Sequence, residues 1–202
     1  MKNEPVSIPN IRMITVSGRI ASGSTTLGDK LAGILGWRHV EGGEVFWEAV
    51  RTKMGLGEKD TNLRPDKEDE DFDASLKQIL TNGKNLILET KLAGFNAQGI
   101  PGVFKIAVIC EDEEGQDKTD IRIDRLINRE KISIEQAKEE VVERERNDLE
   151  KWRRLYANGD QNWTYWDKKY YDLVINTYSH NQEETLKTAL EKIGFKKQTG
   201  DN

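Results

Sequence analysis

Short apolar runs alternate along the chain with longer segments in which apolar residues recur at helical spacing. The run IRMITV at residues 11–16 ends at Ser17-Gly18, which is typical of a buried strand that leads into a turn. After Thr26, apolar residues recur at i, i+4, i+7 and i+8, and Gly36 follows where a helix end favours a left-handed residue. The pattern therefore predicts a first strand followed directly by a first helix.

The same alternation continues to the end of the chain. Further strands are predicted at residues 38–41, 86–88, 103–110 and 173–175, and further helices at 72–80, within 117–156 and at 182–193. Strands that alternate with helices favour a parallel sheet with helices on both faces, so we expect an α/β fold. We expect one domain over residues 11–195, between a flexible arm at 1–10 and a flexible tail at 196–202.

Composition excludes several classes of function. The chain has 202 residues, of which 36% are hydrophobic and 33% charged, so it is long enough for one substantial core but too polar for a membrane protein. Its most apolar stretch, residues 103–110, is far shorter than the roughly 18 residues that span a bilayer. The net charge of −5 is small and interspersed, which disfavours a surface for long duplex nucleic acid. We expect neither a membrane nor a nucleic-acid partner.

The chain contains one cysteine and two histidines. The single cysteine, Cys110, excludes an intramolecular disulfide framework, and the polar start MKNEPVSIPN lacks the apolar core of a signal peptide. Both features indicate a cytoplasmic protein. His39 and His180 have no metal-ligand spacing around them, so neither is expected to be catalytic.

The segment between the first predicted strand and helix carries the strongest chemical signal. It reads GRIASGSTT, which has the spacing G-x-x-x-x-G-K-[ST] of a phosphate-binding loop with serine in place of lysine. Two glycines let the backbone turn tightly around an anion, and the N–H groups at the helix start point at the phosphates. Thr25 is placed to offer its hydroxyl to Mg²⁺. The predicted phosphate-binding residues are Gly18, Arg19, Ala21, Ser22, Gly23, Ser24, Thr25 and Thr26.

Ser24 leaves this loop without the lysine that normally contacts the β- and γ-phosphates and stabilises charge in the transition state. Either another cation replaces it, with Arg19 the nearest candidate, or the loop is a relic that binds nucleotide weakly. The loop alone leaves both interpretations open.

Four segments in this order resemble the archaeal type of cytidylate kinases, within the nucleoside monophosphate kinases. They are ITVSGRIASGSTTLGDKLAGILGWRHVEGGEVF, LILETKLAGF, RIDRLINREKISIEQAKEEVVERERNDLEKW and YYDLVINT. The resemblance extends from about residue 12 to 193 and is far more specific than the loop alone. Members of that group can carry a small hydroxyl residue at the lysine position, as this chain does at Ser24.

The resemblance implies a P-loop NTPase-type fold, with a parallel five-stranded sheet, helices on both faces and a helical lid at about residues 117–156. It implies Mg²⁺-assisted phosphorylation of a nucleoside monophosphate, CMP or dCMP, by ATP. Two alternatives stay open. Ser24, Trp47 and Lys91 replace basic residues of the family, which favours a catalytically silent nucleotide-binding module with a protein partner. The other alternative is a small kinase with another acceptor.

The resemblance also indicates an acceptor site after the second predicted strand. Gly42 and Gly43 belong to the segment EGGEVFW, which opens the acceptor-binding helix of the family, and Trp47 replaces an arginine that grips the acceptor phosphate. Arg51 lies four residues later, so on a helix it projects from the same face within reach of that phosphate. The alternative is that Arg51 is an ordinary surface arginine and that Trp47 is packed in the protein.

Glu89 and Lys91 follow the third predicted strand, at the sheet edge where open α/β proteins bind ligands. Lys91 takes the place of a family arginine near the acceptor and is expected to hold phosphate as a point charge. Glu89 is expected either to orient Mg²⁺ together with Thr25 or simply to cap the strand end.

In the predicted lid, Arg144, Asp148 and Lys151 stand at i, i+4 and i+7, which places them on one helix face. The family has arginine, a carboxylate and arginine at this spacing. The resemblance therefore assigns Asp148 and Lys151 to the acceptor and Arg144 to catalysis. Arg125 and Arg129 precede them as catalytic lid cations, because lid closure excludes water from the charged phosphoryl group. A solvated ion pair between Arg144 and Asp148 is the alternative.

Seven aromatic residues fall between Trp152 and Tyr171, which departs from the family pattern. Stacking on a base is one explanation, but a satellite core or a subunit interface is favoured. The segment 152–171 thus allows a homodimer.

Overall fold

The computed structural model describes residues 4–42 and 66–196, without the side chains of residues 68 and 69. Within these ranges five parallel strands form one sheet: β1 (Met13–Gly18), β2 (Arg38–Glu41), β3 (Leu86–Glu89), β4 (Val103–Ile109) and β5 (Leu173–Asn176). Their spatial order is β2-β3-β1-β4-β5, so the first strand lies at the centre. The predicted α/β class and five-stranded parallel sheet are confirmed.

Helices follow most of the strands. In the described ranges they are α1 (Ser24–Leu35), α2 (Asp66–Asn82), α3 (Ala93–Asn96), α4 (Thr119–Glu130), α5 (Ile134–Lys138), α6 (Glu145–Tyr156) and α7 (Gln182–Lys192). A π-helical segment, Glu139–Arg144, joins α5 to α6, and a 3₁₀ turn at Lys168–Tyr170 precedes β5. None of the helices described here is long and apolar enough to cross a membrane.

The predicted helical region 117–156 is interrupted between α4 and α5. Lys131 ends α4 in a left-handed conformation with φ 57°. Ser133 then begins α5 with a capping box, in which its side chain and that of Gln136 bond to each other's backbone N–H groups. Local capping therefore divides the region into separate helices.

Alternate residues of β1 face opposite layers of the fold. Ile14 and Val16 belong to the core shared with α1 and α7, whereas Met13 packs with α2 and α3 on the other face. Burial of these two apolar faces is the main term that stabilises a sheet covered on both sides. Because β1 is central, its carboxyl end lies beside the ends of β3 and β4, the edge at which such sheets bind ligands.

Two residues of the predicted N-terminal arm, Val6 and Ile8, pack on the domain, and the flexibility of the arm stays a prediction. Ile8 is 5% exposed and belongs to the core next to α1. The Val6 N–H donates to the carbonyl of Leu35, and the Val6 carbonyl accepts from Trp37 Nε1, both at 2.8 Å. The side chains of Val6 and Ile8 therefore hold this polar segment against the end of α1.

The aromatic segment forms a second, smaller core within the chain. Trp152, Trp163 and Tyr165 are buried around Phe95 of α3. The rings meet edge to face, with centroids 5.4 Å apart for Trp152 and Tyr165 and 5.3 Å apart for Phe95 and Trp163. The structure therefore shows the satellite core, and these buried rings are not available to an interface between two copies of the chain.

Tyr165 provides a test of this small core. It is fully buried, its hydroxyl has no hydrogen-bond partner among the described residues, and burial raises the pKa of the phenol. Because an unpaired buried hydroxyl costs free energy, Tyr165→Phe is expected to keep or raise the free energy of unfolding. Tyr165→Ala leaves a cavity and is expected to lose about 3–5 kcal/mol. Urea denaturation measures both, and a clear loss in Tyr165→Phe contradicts the assignment.

Candidate active site at the phosphate loop

The loop between β1 and α1 turns tightly at two glycines. Gly23 has φ +109°, a left-handed conformation that other residues rarely adopt, and it directly precedes α1. A Cβ atom at Gly18 would lie 2.4 Å from Ser22 Oγ, so a side chain there would force the loop open. The unpaired N–H groups at the start of α1 therefore face the space that the loop surrounds, as anion binding requires.

A cavity of about 550 Å³ adjoins this loop. It is lined by four predicted phosphate-binding residues and two predicted lid arginines, namely Ala21, Ser22, Gly23, Thr26, Arg125 and Arg129. Thr177, His180 and Asn181 close the opposite side, where β5 leads into α7. The size and the position at the sheet edge suit a nucleotide.

Two hydroxyls at the start of α1 meet one carboxylate at the end of β3. Ser24 Oγ and Thr25 Oγ1 donate to Glu89 Oε1 at 2.7 and 2.8 Å. The pairing of β1 with β3 places Glu89 directly beside Val16, which brings these groups together. Since both hydroxyl protons point at the carboxylate, the oxygen lone pairs stay available, and hard oxygen donors are what Mg²⁺ prefers. The residues present therefore fit a magnesium ion, although the metal role of Thr25 and Glu89 stays a prediction.

His39 supports Glu89 from β2. Its Nε2 lies 3.3 Å from Glu89 Oε2, a close ion pair rather than an aligned hydrogen bond, and its Nδ1 lies 2.8 Å from Asp29 Oδ1. The Glu89 carboxylate, helped by Asp29, outweighs the effect of burial and raises the pKa of His39 to about 9. A Cβ at Gly28 would lie 2.5 Å from His39 Nε2, so glycine in α1 makes room for the ring. Sequence spacing gave no sign of this role.

Arg19 faces the lid rather than the loop interior. Its Nε donates to Glu145 Oε1 at 2.9 Å, its Nη2 pairs with the same oxygen, and its Nη1 lies 2.9 Å from Asp117. The guanidinium also stacks over Trp166, 4.4 Å from the ring centre. All three nitrogens are engaged, so the structure does not support Arg19 as the replacement for the missing lysine.

A buried ion network connects the loop backbone to the lid. Arg122 has no exposed side-chain surface, and its Nη1 donates to the Ile20 carbonyl at 2.8 Å and to Glu145 Oε2 at 3.1 Å. Its Nη2 donates to Asp117 at 2.8 Å, and Glu145 Oε2 also accepts the Ile20 N–H at 3.3 Å. Burial alone would lower the pKa of Arg122, but the two carboxylates raise it. Sequence analysis missed this network, because buried and solvated charges look alike along a helix.

The three predicted catalytic arginines occupy different positions. Arg125 donates to the hydroxyl and the carbonyl of Thr177, both at 2.9 Å, and Arg129 forms an exposed pair with Glu130. Arg144, at the end of the π-helical segment, pairs with Glu140 at 2.6 Å. The structure therefore brings Arg125 and Arg129 to the cavity but places Arg144 outside its lining.

Two of the predicted acceptor residues are in contact. Lys91 Nζ lies 2.7 Å from Asp148 Oδ2, whereas Lys151 lies 3.9 Å from Asp66. The alternative ion pair between Arg144 and Asp148 is not the one formed, since Arg144 pairs one turn earlier. A Cβ at Gly42 would lie 2.1 Å from Thr90 Cγ2, so this glycine packs closely against the end of β3. The remaining predicted acceptor residues, Gly43 and Arg51, and also Trp47, lie outside the described residues.

A glycine-rich phosphate loop after the central strand of a parallel sheet, beside a helical lid that brings arginines to the cavity, defines a P-loop kinase. Over residues 13–179 the chain matches the family model described as the cytidylate kinase-like family. The chain belongs to this family and is a nucleoside monophosphate kinase.

Curated relatives and solved structures agree with this class. The chain is 30% identical over 192 residues to a cytidylate kinase of Haloarcula marismortui, covering 94% of this chain and 93% of the relative. It is 34% identical over 178 residues to a cytidylate kinase of Methanosarcina mazei, covering 86% and 91%. A shikimate kinase from Bacteroides thetaiotaomicron has the same fold, with a TM-score of 0.57, 16% identity and coverage of 91% of this chain and 98% of that chain.

The ion pair between His39 and Glu89 makes stability depend on pH. The pKa of His39 rises from 6.5 to about 9 on folding, so the pair stabilises the fold fully below pH 6.5 and loses its effect as pH rises through 9. We expect the excess in unfolding free energy of wild type over His39→Gln to be largest at about pH 6 and to vanish near pH 10. Denaturant titrations across this range measure it. His180→Gln, at a histidine without a carboxylate partner among the described residues, is the control, and an equal trend there contradicts the assignment.

Proposed function

We propose that the enzyme transfers the γ-phosphoryl group of ATP to CMP or dCMP with the help of Mg²⁺. The observation that carries the proposal is the convergence of Ser24, Thr25 and Glu89 at the start of α1, beside a cavity of nucleotide size. In the reaction, an oxygen of the acceptor phosphate attacks the γ-phosphorus. The bond from that phosphorus to the bridging oxygen of the β-phosphate breaks, and ADP leaves.

The phosphate loop acts by positioning and by charge. The N–H groups that open α1, together with Gly18, Ser22 and Gly23, hold the donor phosphates in line with the acceptor. Arg19 and Ala21 complete the wall of the loop, with Arg19 as a support held by lid carboxylates.

Ser24, Thr25 and Glu89 are the residues that would hold Mg²⁺. The ion, when bound, neutralises charge on the β- and γ-phosphate oxygens. Glu89 accepts both hydroxyl protons and so keeps the Ser24 and Thr25 oxygens turned toward the phosphates. His39 fixes the second oxygen of Glu89.

Lid arginines supply the positive charge that the loop lacks. Arg125 lies at the cavity with only neutral partners among the described residues, Thr177 and Cys110. Arg144 lies outside the cavity lining and pairs with Glu140, so in this proposal it exchanges that carboxylate for a phosphate oxygen when the lid closes. Arg129 stands at the exposed rim and closes over the donor.

The acceptor occupies the neighbouring part of the sheet edge. Lys91 and Asp148 form the base of this site, and Lys151 and Gly42 flank it. We assign Gly43 and Arg51, from the sequence alone, to the same site. The relatives named cytidylate kinase support a cytosine nucleotide as acceptor.

An acceptor panel tests the proposed function. With ATP and Mg²⁺, CMP and dCMP are expected to show a higher kcat/KM than AMP, GMP and UMP in a coupled ADP assay. Gly23→Val, purified in parallel, reports contaminating kinases, since its strained backbone disables the loop. A preference for another acceptor overturns the cytidylate assignment, and no turnover with any acceptor favours a silent nucleotide-binding module.

Two arginines of the lid form a matched pair of variants. Arg144→Ala is expected to lower kcat by roughly two to three orders of magnitude, the scale for one lost donor to a developing charge. Arg146→Ala is the control, because the Arg146 side chain is 60% exposed and its ion pair within the described ranges is with Glu143. Steady-state kinetics and the melting temperature are measured for both variants. Equal activity of the two removes Arg144 from the catalytic set.

A further inference from the structure

The far wall of the cavity carries two adjacent polar side chains whose orientations are fixed. His180 and Asn181 lie between β5 and α7, opposite the phosphate loop. In the proposed reaction the loop holds the donor phosphates, so this wall faces the donor base. The inference below therefore rests on the proposed function and concerns how that base is selected.

The His180 ring has a defined tautomer. Its Nδ1 lies 2.9 Å from the carbonyl oxygen of Asn176 and 3.1 Å from Ser179 Oγ. The carbonyl only accepts, and the Ser179 hydroxyl donates its own proton to that carbonyl at 3.4 Å, so Nδ1 carries the ring proton. In the neutral ring Nε2 is then a bare acceptor. Among the described residues Nε2 has no hydrogen-bond partner. His180 therefore presents an acceptor to the cavity that it lines.

Asn181 presents the opposite group. Its Oδ1 accepts the backbone N–H groups of Glu183 and Glu184 at 2.9 and 3.0 Å, where it caps α7. The amide oxygen is thereby identified, and its Nδ2 remains as a donor. The wall thus offers one acceptor beside one donor.

The basic residues of the cavity do not disturb this pattern. Lys30 is paired with Glu183 at 2.5 Å and Arg125 with Thr177. Arg129 pairs with Glu130 at the exposed rim. Asn128 and Gln182 also line the cavity, and His180 with Asn181 forms the adjacent acceptor and donor of the far wall.

We propose that His180 selects the donor nucleotide by accepting a hydrogen bond from the exocyclic amino group of adenine, while Asn181 donates to a flanking ring nitrogen. Guanine in the same pose places its O6 carbonyl against Nε2, acceptor against acceptor. Purine, which lacks the amino group, leaves Nε2 unpaired. Both changes cost affinity because a polar group is left without its partner.

Binding of nucleoside diphosphates tests the proposal without turnover. In calorimetric titrations, wild type is expected to bind ADP roughly tenfold more tightly than purine riboside diphosphate, the loss of one hydrogen bond at a partly exposed site. GDP is expected to bind more weakly still. The three ligands share the diphosphate and ribose, so their ratios isolate the contribution of the base.

His180→Phe removes Nε2 and keeps a ring of similar size. This variant is expected to bind ADP and purine riboside diphosphate with nearly equal affinity. Both ligands are measured on the same protein sample, so a partial loss of folded protein affects both titrations alike and leaves the ratio unchanged. Lys30→Met, which changes the same lining without removing an acceptor, is expected to keep the tenfold ratio.

The outcomes separate this inference from the proposed function. The role of His180 is overturned by any of three results. Wild type binds ADP and purine riboside diphosphate equally well, His180→Phe keeps the tenfold affinity ratio between them, or ADP does not bind at all. A tenfold ratio that His180→Phe abolishes supports it even when CMP is not phosphorylated. In that case the acceptor assignment fails and the selection of the base stands.

Discussion

The carboxylate of Glu145 is the group on which the arrangement of loop and lid depends. It accepts from Arg19, from Arg122 and from the Ile20 N–H, so one side chain of α6 holds both the phosphate loop and α4. With Asp117 the network contains two positive and two negative charges. Breaking such a buried pair costs about 3–5 kcal/mol because a charge is left uncompensated. The loop and the base of the lid therefore move as one unit.

This neutral network occupies the one arginine of the loop, so the proposed reaction needs a cation from elsewhere to replace the missing lysine. The loop has its own arginine, yet Glu145 and Asp117 neutralise Arg19 and turn it toward the lid. Of the cations that line the cavity in the described part of the chain, Arg125 contacts only neutral groups. A guanidinium without a carboxylate partner raises the local potential that attracts phosphate. In the proposed reaction, Arg125 of α4 therefore supplies the positive charge that the loop itself lacks.

Periodicity and loop spacing were enough to predict the sheet and the position of the phosphate loop. Strands 38–41 and 86–88 match the observed β2 and β3 almost residue for residue, because short runs between turn signals are a local property of the sequence. The contact of Thr25 with Glu89 was also foreseeable, since both follow strands that end at one edge.

What could not be predicted depends on contacts that are distant along the chain. Arg122 and Arg125 are one helical turn apart and look alike in sequence, yet one is buried beside Glu145 and the other faces the cavity. His39 gains its role only because β2 lies beside β3 and because Gly28 leaves room. Such roles are set by the register of the sheet and by burial, which spacing alone does not encode.

Exposure divides the ion pairs of the lid into two kinds. Arg122 and Glu145 are 0% and 5% exposed, whereas Arg144 and Glu140 are 31% and 43% exposed. An exposed pair is worth about 0–1 kcal/mol, so the exchange of the Glu140 carboxylate for a phosphate oxygen, which the proposed role of Arg144 requires, costs little stability. The buried pair of Arg122 and Glu145 is not open to such an exchange of partners. Arg144 also ends a π-helical segment, a geometry frequent at functional sites, directly before Glu145 begins α6. The same stretch of chain thereby joins a buried ion pair, Arg122 with Glu145, to an arginine whose exposed pair is weak enough for the proposed exchange.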